Sequence, residues 1–209
     1  MSKIVGIVGF IGSGKDTAAD YLVNFYEFRR DSFAAPLKDA VASVFNWDRE
    51  LLEGRTLEAR EWREQIDPWW AIRLSMPNLT PRWVLQYWGT EVCRIGFHND
   101  IWIASLENRL RKSPHNTVIS DCRFPNEIRA IKNAGGAVIR IRRHSDPAWF
   151  EDAVAANKTE NPMQIMTEKW PGVHASEWSW IGEDFDYVVE NNSTLERLYS
   201  SLAKIVQEV

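Results

Sequence analysis

Residues 4–17 read IVGIVGFIGSGKDT and contain the strongest structural signal in the chain. The stretch begins with short, β-branched residues and is stopped by glycine, which predicts a buried strand. Over residues 17–25 the apolar positions recur at helical spacing, so a helix follows. A strand, a loop of the form Gly9-x4-Gly14-Lys15 and a helix constitute a P-loop, whose backbone N–H groups and lysine surround the phosphates of a nucleotide.

The residue after the P-loop lysine departs from the usual pattern. Asp16 stands where Ser or Thr normally binds Mg²⁺, and Thr17 follows one position later. Asp16 has three open roles: holding Mg²⁺ through water, organising the acceptor phosphate and its neighbouring cations, or complementing the helix N-terminus, worth about 0.3–1 kcal/mol. We predict that Lys15 bridges the β- and γ-phosphates of ATP. The predicted ATP-binding residues of the loop are Gly12, Ser13, Gly14, Lys15, Asp16 and Thr17.

The first half of the chain continues with helices. A second helix is expected from Pro36 to Phe45, and short helices and loops over the site are expected from 48 to 79. Thr80 before Pro81 is a good N-cap, starting a helix that runs to about residue 94. A further helix is expected from Asn99-Asp100 to near Arg111.

The second half alternates strands with helices. Strands are predicted at 117–120, 137–141 and 187–189, with a helix at 125–134, and this order predicts an α/β fold with a parallel sheet. Ser193 and Glu196 form a capping box for a terminal helix whose apolar residues face the sheet: Leu195, Leu198, Leu202, Ile205 and Val206. We expect one domain over 1–209, with a helical acceptor-binding region at about 46–112 and a mobile lid and loop at about 142–180.

A second charged cluster follows the strand at 117–120. Asp121 lies at the position of the second acidic group of P-loop folds, which faces the metal, and Arg123 and Glu127 follow it. Asp121 is therefore a predicted Mg²⁺ ligand, directly or through water, whereas the residues around Lys15 leave the placement of the ion open. The predicted catalytic residues are Lys15, Asp16, Asp121 and Arg123. A surface salt bridge at a helix start is the alternative interpretation of the cluster.

Phosphoryl transfer needs cations around the transferring group, and arginines supply them. Besides Arg123, the candidates are Arg140, Arg142 and Arg143 at the entry to the lid, of which we choose Arg143 as an ATP contact. Lid closure over both substrates is expected, because water must be excluded from the reaction.

The composition limits the classes of partner. The 209 residues have a net charge of −4 and a pI near 5.6, which argues against a protein that binds nucleic acid through its phosphates. The longest apolar stretch near the N-terminus is too short to span a membrane, and two cysteines without metal spacing suit a cytoplasmic protein. Six tryptophans concentrate in the middle and either pack a core or form the walls of a slot for a base: Trp62, Trp69, Trp70, Trp83, Trp88 and Trp102.

With these segments in place, the chain resembles the deoxynucleoside monophosphate kinases of tailed bacteriophages over nearly its whole length. The strongest match is GSGKDTAAD at 12–20, where the family also has Asp and then Thr after the lysine. Further matches are AAPLKDA at 34–40, LQYWGTE at 85–91, the Asp121-x-Arg123-x3-Glu127 pattern and HASE at 174–177. Residues 46–80 and 142–173 match poorly.

The resemblance implies a three-layer α/β/α fold of the nucleoside monophosphate kinase type, with a mainly parallel sheet, a helical insert and a lid. It implies transfer of the γ-phosphate of ATP to a deoxynucleoside 5′-monophosphate, with ATP and Mg²⁺ as cofactors. Thr17 is then implied as a Mg²⁺ ligand beside Asp121, directly or through water. A homodimer is also open. The residues implied for acceptor binding are Lys38, Gln86, Thr90, Trp102, Arg123 and Glu127. Two alternatives remain: a kinase of another small acceptor, such as dephospho-coenzyme A or phosphomevalonate, and a nucleotide sensor without turnover.

Overall fold

The computed structural model describes residues 2–209 and contains one five-stranded sheet. All strand pairings are parallel, and the spatial order is β2-β3-β1-β4-β5. The strands are β1 (Ile4–Val8), β2 (Arg29–Asp31), β3 (Thr117–Ile119), β4 (Ala137–Arg142) and β5 (Tyr187–Glu190). The predicted α/β class with a parallel sheet is confirmed, and the central strand is the one that leads into the glycine loop.

The chain forms two compact units. The first comprises residues up to Phe33 together with Leu106–Val209, and the second comprises Ala34–Ser105. The sheet belongs to the first unit, with helices α1 (Lys15–Phe25), α8 (Pro125–Asn133), α9 (Phe150–Ala156), α10 (Pro162–Lys169), α11 (Ala175–Trp178) and α12 (Leu195–Glu208). The second unit is helical, with α2 (Ala35–Phe45), α3 (Arg49–Glu53), α4 (Leu57–Glu64), α5 (Pro68–Arg73), α6 (Pro81–Tyr87) and a π-helix (Trp88–Ile95). The residues of α7 (Ile101–Lys112) are divided between the two units.

The core of the first unit lies between the sheet and the helices α1 and α12. Strand β1 is buried along its whole length, as its run of β-branched residues requires. Helix α12 packs an apolar face against this core through Leu198, Leu202, Ile205 and Val206. Because both layers bury their apolar residues, the loops at the carboxyl end of the sheet are attached to a rigid base.

The second unit has an aromatic core of its own. Five of the six clustered tryptophans are partly buried against it, whereas the side chain of Trp69 is 62% exposed. The indole N–H of Trp70 donates to the carbonyl of Phe45 (3.1 Å), which satisfies a polar atom within this core. Core packing is therefore what most of these tryptophans do, as the first of the two interpretations expected.

The helix that begins after Thr80 differs from its prediction. The Thr80 hydroxyl accepts from Trp83 N (3.1 Å), so the N-cap is confirmed. The α-helix ends at Tyr87, however, and the chain continues as the π-helix to Ile95. Gly89 stands at this change, where an added Cβ would come within 2.9 Å of Leu37. Helical spacing in the sequence does not distinguish the wider turn of a π-helix from the turn of an α-helix.

The segment predicted as a lid and loop also differs from its prediction. Residues 142–184 contain the three short helices α9, α10 and α11 rather than irregular structure. Each is four to eight residues long, too short for a clear apolar period, and buried residues such as Ala153, Met166 and Trp178 attach them to the unit.

The start of the last helix is one residue later than predicted. Its N-cap is Thr194 rather than Ser193, and Leu195 is 47% exposed rather than facing the sheet. Hydrogen bonds from its own backbone and from the Thr194 side chain lower the pKa of Glu196. Within residues 2–209, no helix has the length and apolar character needed to cross a bilayer.

Candidate active site

The site lies at the carboxyl edge of the parallel sheet, where loops from different strands meet. Gly9 follows β1, Asp121 follows β3, Arg143 follows β4 and Asn191 follows β5. In open α/β sheets this edge is where ligands bind, because the strand ends bring loops from distant parts of the sequence together.

The loop after β1 has the backbone of a phosphate-binding nest. Its three glycines have positive φ: 148° at Gly9, 77° at Gly12 and 99° at Gly14. Gly14 is the N-cap of α1 and makes no side-chain capping hydrogen bond. The first N–H groups of α1 thus lack the side-chain acceptor that caps many helices, and the helix dipole adds positive potential at the same place.

The Lys15 side chain lies inside this loop. Its ammonium donates to the carbonyls of Gly9 and Phe10, at 2.8 Å each. The pKa of Lys15 is lowered from 10.5 to about 8, mainly by burial and also by the nearby Arg123 cation, while the carboxylates of Asp16 and Glu177 act in the opposite direction. Two cations close enough to affect one another form a site for a strongly anionic group.

The loop is also held at Ser13 by a residue that the sequence analysis did not identify. The Asn191 side-chain amide donates to the Ser13 carbonyl (2.8 Å), and a Cβ on Gly14 would come within 2.5 Å of the same amide. The Ser13 hydroxyl is buried and has no hydrogen-bond partner among residues 2–209. Asn191 is 178 positions from Ser13 in the sequence and follows β5. The contact therefore becomes visible only once the strands are arranged in the sheet.

An aromatic cluster fixes the loop from its other side. The Phe10 ring packs against Trp149, Phe150 and Trp180, with ring centroids 5.5, 6.2 and 5.0 Å away. Phe10 occupies a variable position of the P-loop pattern, which is why the motif carried no signal for this contact. The consequence is that the segment from 149 to 180 is attached to the phosphate-binding loop.

Asp16 and Thr17 begin helix α1. Arg30 of β2 donates to the Asp16 carboxylate (3.0 Å), to the Asp16 carbonyl (2.9 Å) and to Asp20 (2.8 Å). The Asp16 side chain is 66% exposed while Arg30 is largely buried, and Thr17 is half-buried. Asp16 therefore has a structural partner at the base of the loop, and its contact with ATP, like that of Thr17, stays a prediction.

Asp121 lies after β3, as predicted. Its carboxylate accepts from the backbone N–H of Phe33 (3.1 Å), in the loop that follows β2. That same loop is fixed by Arg109, which makes a two-nitrogen contact with the Asp31 carboxylate (3.0 and 2.9 Å) and also donates to the Ser32 carbonyl. Asp121 is thus anchored beside the end of the sheet, while its part in metal binding and catalysis stays a prediction.

Arg123 and Glu127 have different surroundings. Glu127 is buried, and its carboxylate accepts from the backbone N–H groups of Arg123 (2.8 Å) and Phe124 (3.2 Å) at the start of α8. The Arg123 guanidinium is 39% exposed and donates to Glu177 (2.7 Å). Glu127 therefore shapes the loop that presents Arg123, and its direct contact with substrate stays a prediction.

The three lid arginines are distinguished by their partners. Arg140 is largely buried, pairs with Asp146 (3.1 Å) and lies over the rings of Phe150 and Trp180. Arg142 also pairs with Asp146 (2.9 Å). Arg143 lies beside the phosphate-binding loop, with its Nη1 3.5 Å from the carbonyl of Gly12. Arg140 is therefore a packing residue, and the contact of Arg143 with ATP stays a prediction.

The residues predicted only for acceptor binding lie in the helical unit. Lys38 donates to Glu53 (2.7 Å), and both side chains are largely buried. Gln86 and Thr90 are four positions apart on consecutive helical segments, with Gln86 exposed and Thr90 half-buried on the π-helix. The same unit includes Trp102, whose indole donates to the carbonyl of Gly89 (2.9 Å). Their contact with an acceptor stays a prediction.

The described residues offer Mg²⁺ separate oxygen donors rather than a complete cage. Within 2–209 no three His, Cys, Asp or Glu side chains converge as a metal cage. Kinases bind Mg²⁺ through one or two protein oxygens with phosphates and water, so a complete protein cage is not required. The Thr17 hydroxyl and Asp121 carboxylate are oxygen donors of the kind that Mg²⁺ takes, and the residues present fit the ion.

Comparison with known proteins identifies the relatives. A protein of Acanthamoeba polyphaga mimivirus, named as a deoxynucleotide monophosphate kinase, is 32% identical over 218 aligned positions, covering 97% of this chain and 95% of its own. The deoxynucleoside-5′-monophosphate kinase of Escherichia phage T5 is 30% identical and covers 70% of this chain and 75% of its own. No family model matches the sequence.

Among solved structures, dephospho-CoA kinase from Campylobacter jejuni aligns over 99% of this chain and 97% of its own, with 15% identity and a TM-score of 0.46. The sequence comparison is the informative one, because the identity to the mimivirus protein extends over nearly all of both chains. The chain therefore belongs to the deoxynucleotide monophosphate kinase family.

Proposed function

We propose that this enzyme transfers the γ-phosphate of ATP to a deoxynucleoside 5′-monophosphate, giving the diphosphate and ADP. The observation that supports it most directly is the arrangement of Lys15 and Arg123. Lys15 lies in the phosphate-binding loop, and Arg123 follows β3 at the same edge of the sheet, near enough to lower the pKa of Lys15. A multiply charged anion such as a triphosphate would relieve the repulsion between the two cations.

The reaction requires no covalent intermediate on the protein. An oxygen of the acceptor phosphate attacks the γ-phosphorus in line, that bond forms as the bond to the β-phosphate oxygen breaks, and ADP leaves. Lys15 and the N–H groups that open α1 hold the β- and γ-phosphates. Arg123 neutralises the charge that spreads over the transferring group, and Arg143, which lies beside the Gly12 carbonyl, holds ATP.

Mg²⁺ would be held by Thr17 and Asp121, directly or through water. When bound, it neutralises charge on the phosphate oxygens. Asp16 remains a proposed catalytic residue that acts from the base of the loop, and Glu127 a proposed acceptor ligand. We further propose that the enzyme acts in the cytoplasm of a host cell, as its viral relatives suggest. The possibility of a homodimer and the absence of nucleic-acid binding stay predictions.

The test of the function is a coupled ADP-release assay with Mg-ATP. The acceptors are dAMP, dCMP, dGMP and dTMP, their ribose counterparts and dephospho-coenzyme A. Turnover with at least one deoxynucleotide is expected. Turnover with dephospho-coenzyme A alone would establish the alternative acceptor class, and ATP binding without turnover on any acceptor would indicate a sensor.

The role of Arg123 is tested by replacement. Arg123→Ala should lower kcat by about 10³–10⁵ because a transition-state arginine is worth that much. The melting temperature should change little, since a partly exposed ion pair is worth about 0–1 kcal/mol. Arg129→Ala, at an exposed position of the adjoining helix α8, is the matched control and should keep wild-type turnover. A small effect of Arg123→Ala on kcat would assign Arg123 to structure alone.

A further inference from the structure

Arg123 is held by a carboxylate that has no role in the proposed mechanism. Its Nη1 donates to Glu177 Oε1 (2.7 Å) and lies 3.4 Å from Ser176 Oγ. The side chains of Arg123 and Glu177 are 39% and 23% exposed, so their pairing contributes little to stability. Its main physical effect is to restrict the orientation of the guanidinium.

Glu177 is itself presented by a rigid segment. The neighbouring side chains of Trp178 and Trp180 are each only 2% exposed. The Asn157 side-chain amide donates to the carbonyls of Trp178 (3.0 Å) and Ile181 (2.8 Å), which fixes the backbone on the C-terminal side of Glu177. The carboxylate therefore extends from a fixed point rather than from a mobile loop.

The same segment is attached to the phosphate-binding loop. The Trp180 ring packs against the Phe10 ring, with centroids 5.0 Å apart. Glu177 is also near enough to Lys15 to raise its pKa, while Arg123 lowers it. The carboxylate thus lies within electrostatic range of both cations that would meet the phosphates of ATP.

The hydrogen bonds of Arg123 leave one side of its guanidinium available. Nη1 is occupied by Glu177 and Ser176, whereas Nε and Nη2 have no hydrogen-bond partner among residues 2–209. These two nitrogens form the planar fork that binds two phosphate oxygens at once. An arginine held at one terminal nitrogen loses less conformational entropy when the fork meets a phosphoryl group.

We propose that Glu177 is a positioning residue for phosphoryl transfer, which holds Nη1 of Arg123 so that Nε and Nη2 are directed at the transferring group. Glu177 touches neither substrate and acts through Arg123. This inference rests on the proposed kinase function and adds a residue to its machinery.

The experiment compares Glu177→Ala and Glu177→Gln with wild type in the ADP-release assay, using the best deoxynucleotide acceptor. Glu177→Ala should lower kcat by about 10- to 100-fold, the range expected for a misplaced catalytic group, and leave KM for ATP within about twofold. Glu177→Gln keeps an oxygen acceptor and should recover part of the loss. Asp184→Ala removes an exposed carboxylate from the same segment and should match wild type.

The second measurement separates positioning from general stability. In an Arg123→Ala background, followed with radiolabelled ATP, Glu177→Ala should lower the residual rate by less than about twofold, since a residue that acts through another is not additive with it. Melting temperatures identify any variant that fails to fold. If Glu177→Ala does not fold, Glu177→Gln is compared with wild type in its place.

Two results would overturn the inference: a Glu177→Ala enzyme with the kcat of Asp184→Ala, or an equal loss of rate with and without Arg123. Wild-type protein without turnover on any acceptor would instead refute the proposed function, and the role of Glu177 with it.

Discussion

The pKa of Lys15 predicts that ATP affinity falls as pH rises from 7 to 9. With a pKa of about 8, the protonated fraction of Lys15 decreases from about nine-tenths at pH 7 to about one-tenth at pH 9. In the proposed mechanism ATP binds the protonated form, so its dissociation constant should rise about tenfold over this range, or about 1.4 kcal/mol. A lysine with its ordinary pKa would stay charged and show no such change.

The measurement needs a control for the other groups that act on Lys15. The Cys122 thiol is one of them, and burial raises its pKa well above the usual value. The assay is isothermal titration with ATP at pH 7, 8 and 9 and constant ionic strength. Lys15→Arg is the control, because a guanidinium stays protonated throughout and its ATP affinity should be flat. A constant wild-type affinity, or the same slope in both proteins, would refute the reasoning.

The free energy of unfolding should increase with pH, in contrast to the ATP affinity, which decreases. Between pH 8 and 10.5 the unfolded chain binds a proton at Lys15 that the folded chain has lost, so the free energy of unfolding rises with pH. The contribution of Lys15 is about 1 kcal/mol from pH 8 to 9. Urea unfolding of the ligand-free protein at the two pH values measures it, and the difference should be absent from Lys15→Arg.

Three further predictions concern the loop and its neighbours. Arg143→Ala should raise KM for ATP with little change in melting temperature. Arg140→Ala removes a largely buried ion pair and ring contacts, so its main effect should be a lower melting temperature. Gly9→Ala should destabilise the fold more than Gly12→Ala, because a Cβ on Gly9 would come within 2.4 Å of a backbone carbonyl. A Cβ on Gly12 meets open space, so Gly12→Ala should cost only the left-handed strain of about 1–2 kcal/mol. Urea unfolding compares the two variants, and equal losses of stability would contradict this prediction. Asp16→Asn should lower turnover across a range of Mg²⁺ concentrations, and full activity at all of them would remove Asp16 from the catalytic set.

Local patterns in the sequence determined much of the fold. The β-branched run before Gly9 and the glycines of the loop predict a strand and a nest, because burial and positive φ select those residue types. The apolar period of α12 and the Thr80 N-cap are equally local. The alternation of strands with helices then implies a parallel sheet, and with it an edge where Asp121 follows its strand.

Local patterns failed to predict those elements whose conformation depends on contacts with other parts of the chain. The change from α6 to a π-helix lies where Gly89 approaches Leu37, and the helices between 150 and 178 are stabilised by contacts with other elements rather than by their own period. A short segment without clear apolar spacing resembles a loop until its packing is known.

Only the tertiary structure decided which charged side chains meet. The sequence offered Arg140, Arg142 and Arg143 as candidates, with Arg143 chosen, and only their different partners in the structure distinguish them. Arg123 and Glu177 are 54 positions apart in the sequence. Their contact depends on the buried tryptophans that fix the position of the segment containing Glu177. The residue types of a P-loop follow from backbone conformation, which a few consecutive residues determine. The orientation of Arg123 follows from long-range packing, which no local pattern of residues encodes.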